Sequence, residues 1–248
     1  MVPSKEKFAS VLVTHHVKMP QLNRERTIRI LFPISYFRYP ERRFPVMYMQ
    51  DGQNLFEHHT AYNRAWGLKE VMDALPLSRQ FIIVGVDNGH GHRAAEYVPK
   101  NIRKATAEGE AYIDFMINDL KPKVDISYRT LPDRNNTLIC GSSLGGLISF
   151  FAATRHSHVF GKAGIMSPSF WMMPEVLEIP EGLKSKMYIV GSQTESKGMK
   201  LMLQQAYWSL KRAGWHDDHF RVVIKDRGRH NEAFWGRNFK KMALWLME

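Results

Sequence analysis

Short runs of apolar residues recur along the chain, and between them lie longer stretches in which apolar positions return every three or four residues. The runs read as strands at 8–14, 27–31, 45–49, 81–86, 137–140, 163–166, 187–190 and 220–224. Those in the middle of the chain are apolar throughout instead of alternating, as strands covered on both faces must be. The longer stretches read as helices at 111–124, 145–154, 199–212 and 231–247. In the first, Ile113, Met116, Ile117 and Leu120 share one face; the second is so nearly continuous in apolar residues that it must be buried. Strand and helix alternate after an initial strand cluster. That order predicts one α/β domain over residues 1–248, with a mostly parallel central sheet of about eight strands and helices on both faces. A short polar loop separates the first two strands, which suits an antiparallel edge. Two long connections, 87–109 and 168–186, follow C-terminal strand ends, where open α/β sheets bind ligands; the alternative is plain surface loop.

Composition narrows the class. Of 248 residues, 44% are hydrophobic and 24% charged, which excludes a disordered chain. The single cysteine, Cys140, excludes an intramolecular disulfide and a cysteine-based zinc site. No apolar run approaches the roughly 20 residues that span a bilayer, and residues 1–7 lack the apolar stretch of a secretory signal. The expectation is a soluble protein of the reducing cytoplasm without a membrane partner. The unusual feature is charge: 35 Lys+Arg against 24 Asp+Glu, a formal net charge of +11. Nucleic acid, a membrane surface or a small anionic substrate would each fit. Yet the cations are scattered, with Arg24, Arg26 and Arg29, then Arg38, Arg42 and Arg43, then Lys100, Arg103 and Lys104, then Lys240 and Lys241 in separate segments. No nucleic-acid motif accompanies them. A solvated basic surface without a nucleic-acid partner is expected.

Chemistry enters at Gly141-Ser142-Ser143-Leu144-Gly145, a G-x-S-x-G pattern centred on Ser143. Chance alone yields about 0.1 such matches in a chain this long, so context decides. Residues 137–140 read as a strand and 146–151 open a helix, the sharp strand-to-helix turn that exposes a nucleophilic hydroxyl above a sheet. Small residues two before and two after let the backbones pass. The turn also aims the Leu144 N–H, at a helix N-terminus, toward a developing oxyanion. The competing reading is a glycine-rich turn between buried elements.

A serine needs a base, and the base an orienting acid, in the chain order Ser, Asp/Glu, His for this kind of turn. His230 lies just past the last predicted strand and just before the last helix, so a loop there hangs its imidazole over the sheet's C-terminal edge. His216 and His219 precede that strand and fall at the opposite end; His156 and His158 sit in or just after the helix that follows Ser143. Glu195 follows the 187–190 strand where the acid is expected, and Asp226, close to His230 in sequence, competes with it. The second oxyanion donor is expected from the loop after the third strand. There Gly52 permits close backbone approach and the Gln53 N–H is the donor, unless Asp51-Gly52 is a plain β-turn. His15-His16, His58-His59, His90-Gly91-His92 and His216 with His219 lack a third partner at telling spacing, so neither a metal nor any other cofactor is expected. The 14 methionines read as core filler.

Taken in order, Met49-Gln50-Asp51-Gly52-Gln53-Asn54-Leu55-Phe56, Val84-Gly85-Val86-Asp87-Asn88, Arg93 with Glu96-Tyr97 and Pro99, Gly141 to Gly146, Ser167-Pro168-Ser169-Phe170-Trp171, and His230-Asn231-Glu232 with Trp235 resemble the serine esterase family of α/β-hydrolases. That family includes esterase D-like enzymes, carbohydrate esterases of the acetyl and feruloyl type, and siderophore esterases. The resemblance runs from about residue 26 to the C-terminus. It implies an α/β-hydrolase fold, Ser143 as nucleophile, His230 as base and Glu195 as acid. Many relatives carry His where Gln50 stands, a departure that leaves the backbone donors untouched.

Trp66, Arg93, Tyr97, Phe170, Trp171 and Trp235 come from loops or helix starts near the Ser143 edge. They read as substrate-binding, with aromatic faces for a sugar or aromatic acid and Arg93 for a carboxylate or polarised oxygen. The alternatives are core packing for Trp66 and Trp235 and an Arg93–Glu96 ion pair. The expected activity is hydrolysis of a small-molecule ester through a Ser-His-Glu acyl-enzyme. The charge tilts the substrate toward an anionic siderophore-type ester, with acetylated or feruloylated carbohydrate next. A non-catalytic binding module on the same fold is the reading from another class, and the oligomeric state is left open.

Overall fold

The structure, a computed structural model, describes residues 9–100 and 106–248. Arg103 and Lys104, and the start of the first predicted strand at Phe8, lie outside the described residues. Eight strands form one sheet: β1 (Val11–Met19), β2 (Arg24–Phe32), β3 (Val46–Gln50), β4 (Ile82–Val86), β5 (Thr137–Ser142), β6 (Lys162–Met166), β7 (Lys186–Ser192) and β8 (Phe220–Lys225). Their order is β1-β2-β4-β3-β5-β6-β7-β8. β2 pairs antiparallel with both β1 and β4, and the other pairings are parallel. This is the mostly parallel α/β-hydrolase sheet that the sequence predicts. β1 runs further than expected, to Met19, because as an edge strand it carries His15, His16 and Lys18 and presents no continuous apolar run.

The helices are α1 (Ile34–Arg38), α2 (Leu68–Asp73), α3 (Arg93–Glu96), α4 (Gly109–Phe115), α5 (Lys121–Ser127), α6 (Leu144–Arg155), α7 (Met199–Arg212) and α8 (Glu232–Leu246). The single predicted helix 111–124 is α4 and α5 joined by a π-helical stretch, Met116–Leu120, with Pro122 in the first turn of α5. A proline there removes one donor and crowds the preceding turn, and a wider turn relieves both.

Alternate residues of each central strand enter two cores. Tyr48, Ile139, Ile165 and Ile189 pack on one face with α4, α6 and α7. Met47, Met49, Cys140, Met166 and Val190 pack on the other with α2 and α8. A strand clad on both faces has no polar side to show, which is why β3 to β7 read as unbroken apolar runs. The C-terminal ends of β3, β5, β6, β7 and β8 share one edge, and there the chain concentrates its polar chemistry.

Candidate active site

Ser143 occupies the turn between β5 and α6 with φ 58° and ψ −124°, a conformation that costs a non-glycine residue of order 1–3 kcal/mol. Its neighbours explain how the turn closes. A Cβ on Gly141 would stand 2.3 Å from the Gly145 carbonyl oxygen, so the two ends of the motif pass at backbone contact. The Ser143 N–H donates to the Met166 carbonyl (3.0 Å), and the Ser143 carbonyl accepts from Leu147 and Ser169 N–H. The hydroxyl is left projecting above the sheet edge. It shares a hydrogen bond with Ser169 Oγ (3.1 Å) and makes none to His230.

His230 and Glu195 come from adjacent loops. The loop after β7 is tied to the loop after β8 through Thr194, whose Oγ1 donates to the Gly228 carbonyl (2.8 Å) and accepts its N–H (3.0 Å). Glu195 Oε2 then accepts from His230 Nδ1 (2.9 Å). The other carboxylate oxygen accepts from the Ser192 N–H (2.7 Å) and Ser167 Oγ (2.9 Å). The Glu195 side chain is 1% exposed against 38% for His230, so the acid is sealed and the base opens to solvent. Asp226 points elsewhere, its Oδ1 accepting weakly from Gln193 Nε2 (3.4 Å) at the surface.

Ser167 and Trp235 complete this network. Trp235 Nε1 donates to Ser167 Oγ (2.9 Å), which in turn donates a hydrogen bond to Glu195 Oε1 (2.9 Å). The edge of Trp235 also meets the His230 ring, with centroids 5.2 Å apart and planes at 86°. One indole thus touches the imidazole directly and the carboxylate through a single hydroxyl.

The turn after β3 faces Ser143. Asp51 has φ 56°, and a Cβ on Gly52 would lie 2.7 Å from the Gly85 carbonyl carbon. The backbone N–H groups of Gln53 and Leu144 have no protein acceptor among the described residues; Gln53 lines the cavity, and Leu144 directly follows Ser143, which also lines it. Asp51 is clamped from three sides. Arg93 Nε and Nη2 reach its two carboxylate oxygens (2.7 and 2.8 Å), Asn88 Nδ2 donates to Oδ1 (2.7 Å), and Tyr97 Oη accepts the Asp51 N–H (3.1 Å). Burial works against the Arg93 charge, but the Asp51 hydrogen bonds and charge outweigh it and raise the guanidinium pKa.

These placements revise the substrate-binding expectations. A cavity of about 540 Å³ is lined by Ser143, His230, Gln53, Arg93, Glu232 and Trp235 among others. Trp66, Tyr97 and Phe170 are buried away from its lining: Trp66 stacks on Trp235 at 5.7 Å, Tyr97 braces Asp51, and Phe170 packs on Phe150 at 5.0 Å. Trp171 is 62% exposed and lines no part of it. Arg93 lines the cavity but is committed to Asp51, and Glu96, its suggested partner, pairs instead with Arg24 (2.9 Å) and Arg26 (2.6 Å). An aromatic side chain and its neighbours in sequence do not reveal whether it points into a core or a cleft.

Asp51, Asn88, Ser167, Ser169 and Glu232 stood in the sequence motifs without a site role, and Tyr62 was not singled out from sequence. Gln50, the departure from the relatives' histidine, is buried beneath Gly141 and Gly145 and bonds Tyr112 Oη. Among the described residues no group of three His, Cys, Asp or Glu is placed to hold a metal, and no helix is long and apolar enough to cross a membrane.

Comparison with known proteins adds a family, three relatives and two solved structures. A family model described as "Putative esterase" matches residues 19–235. The uncharacterized protein YbbA of Bacillus subtilis is 25% identical over 221 residues, 82% of this chain and 85% of that protein. An endo-1,4-beta-xylanase/feruloyl esterase of Xylanibacter ruminicola is 25% identical over 232 residues, 90% of this chain but 29% of that protein. An iron(III) salmochelin esterase of Escherichia coli is 25% identical over 155 residues, 61% of this chain and 34% of that protein. The fold is shared with a ferulic acid esterase (17% identity, TM-score 0.72, covering 96% of this chain and 98% of the other). It is also shared with the enterobactin esterase of Shigella flexneri (19% identity, TM-score 0.76, covering 95% and 58%).

Proposed function

We propose that this chain, which belongs to the esterase family matched over residues 19–235 and is a carboxylic ester hydrolase, works as one domain through a serine acyl-enzyme. The observation that carries the reading is the Glu195–His230 hydrogen bond opening onto the cavity in which Ser143 stands at positive φ. A change of Ser143 rotamer would release its hydroxyl from Ser169, its one side-chain hydrogen bond, for His230 on the lining of the same cavity.

His230 Nε2 then takes the hydroxyl proton as Ser143 Oγ bonds the ester carbonyl carbon. Glu195 holds Nδ1–H and so fixes the tautomer that leaves Nε2 free to accept. The carbonyl oxygen gains the negative charge and is met by the unpaired N–H groups of Gln53 and Leu144. Collapse expels the alcohol, which receives the proton from His230. Water, deprotonated by the same imidazole, releases the acid and restores Ser143. No step needs a cofactor.

Two substrate readings follow from the relatives. A siderophore ester is supported by the salmochelin esterase likeness, and a carbohydrate acetyl or feruloyl ester by the feruloyl esterase likeness. The cavity favours the second. Among the described residues its one arginine, Arg93, is paired with Asp51 and so offers little net positive charge to an anionic substrate.

A fluorophosphonate probe is expected to label the wild-type protein at Ser143, and Ser143→Ala to abolish labelling while lowering kcat on short p-nitrophenyl esters by about 10⁴-fold or more. Labelling or turnover that survives in Ser143→Ala would overturn the assignment.

A further inference from the structure

The cavity that holds Ser143 contains a carboxylate that no group among the described residues answers. Glu232, the first residue of α8, is 8% exposed and lines the cavity beside His230. Among the described residues it makes no hydrogen bond and no ion pair within 4.0 Å, feeling only the more distant charge of Arg93. Its neighbours differ. Asp51 is held by Arg93 and Asn88, and Glu195 accepts from three donors. A carboxylate offers about four lone-pair sites, and those of Glu232 stand on the cavity lining, where the donors of a bound ligand can take the place of water.

Position says which half of the ester meets it. The argument rests on the acyl-enzyme reading above, in which His230 delivers its proton to the departing alcohol oxygen. The alcohol therefore lies on the His230 side of Ser143, and Glu232 follows His230 by two residues. On the same side the loop at 58–64 approaches: Asn63 and Arg64 share with Glu232 an adjoining cavity of about 500 Å³, and Tyr62, 93% exposed, stands on the lining of the catalytic cavity. Arg64 and His58 face the adjoining cavity and not the catalytic one. Among the described residues, the Asp and Arg side chains that line the catalytic cavity, Asp51 and Arg93, pair with each other, and the Glu232 carboxylate has no such partner.

We infer that Glu232 determines which alcohol the enzyme accepts: it takes hydrogen bonds from the hydroxyl groups of a neutral, ring-borne polyol lying against Tyr62, and it turns away alcohols that carry negative charge. Hydroxyl donors satisfy the carboxylate, whereas an anion brought beside it in a low-dielectric cleft is repelled. A site with an unpaired polar group discriminates strongly against partners that cannot pair it.

The test uses two substrates that differ by one group, a monoacetylated glucose and the matching monoacetylated glucuronate, with active sites counted by fluorophosphonate titration. Wild type is expected to show the higher kcat/KM on the neutral ester. Glu232→Gln keeps shape and an acceptor but removes charge. It is expected to lower kcat/KM on the neutral ester roughly tenfold and to raise it on the anionic one roughly tenfold. Changes of opposite sign do not arise from a damaged fold. A wild-type preference for the glucuronate, or a variant that shifts both esters by the same factor, would overturn the inference. Failure of the underlying nucleophile reading shows separately, as wild-type rates in Ser143→Ala.

Discussion

Ser167 shows how much of this site hangs on one hydroxyl. It is fully buried, held at φ 43°, and placed between Trp235 Nε1 and Glu195 Oε1. Ser167→Ala leaves a buried indole N–H without its acceptor and a buried carboxylate with one donor fewer. The expected cost is about 1–3 kcal/mol of stability, read by thermal or urea unfolding. Glu195 also orients the imidazole, so kcat is expected to fall roughly tenfold with KM little changed; a fall in KM-dependent binding alone would argue for a substrate contact instead. Ser143, His230 and Glu195 could be picked out from sequence because each sits at a predictable place after a strand. Ser167 could not, since its bond to Glu195 joins residues 28 apart and exists only once β6 and β7 lie side by side.

At the scale of elements, the turn between β3 and α2, which holds the proposed oxyanion donor Gln53, presses against β4. A Cβ on Gly52 would meet Gly85 backbone at 2.7 Å and Asp87 Oδ1 at 2.8 Å. Gly52→Ala must therefore push the turn outward and carry the Gln53 N–H with it. Losing one oxyanion donor lowers kcat by about 10²–10³-fold, and Gly52→Ala is expected to approach that loss while still reacting with a fluorophosphonate, though slowly. Unchanged kcat would show that Gln53 N–H is not the donor. The need for glycine at 52 was legible from sequence, and the Gln53 donor is what the Gly52→Ala variant tests. The brace was not: Arg93 and Tyr97 arrive from α3 and the residue after it, about 40 positions on, and hold Asp51 instead of substrate. Short helices escaped for a related reason. α1 and α2 span 5 and 6 residues, too few turns for a 3.6-residue period to declare itself.

For the molecule as a whole, the two cores meet at the centre of the sheet. Cys140 lies there, fully buried among Met166 and Met242, so close to Gly164 that a Cβ on that glycine would stand 3.0 Å from Cys140 Sγ and 2.2 Å from Met242 Sδ. Burial pushes the Cys140 thiol pKa up, and a thiol reacts as its thiolate. The native protein is expected to be inert to a disulfide reagent such as DTNB at pH 8 and to react at its one cysteine in denaturant. Pulsed labelling across a urea series should then follow the global unfolding curve; modification ahead of that curve would mean that the sheet opens locally at β5. Charge also resolves at this scale. Arg24 and Arg26 are tied to Glu96, Arg29 to Asp87 and Arg42 to backbone carbonyls, so part of the basic excess serves internal bonding.

The sequence by itself determined the eight strands, most of the long helices, the sharp turn at Ser143 and the places of Glu195 and His230 after later strands. Each of these is set by residues within one element or one turn, where periodicity and steric size act locally. The tertiary structure alone decided which side chains meet across loops. It turned Trp66, Tyr97 and Phe170 into the core, committed Arg93 to Asp51, joined Trp235 to Glu195 through Ser167, and left Glu232 facing the cavity unpaired. Those contacts depend on the packing of residues tens of positions apart, and no local pattern records them.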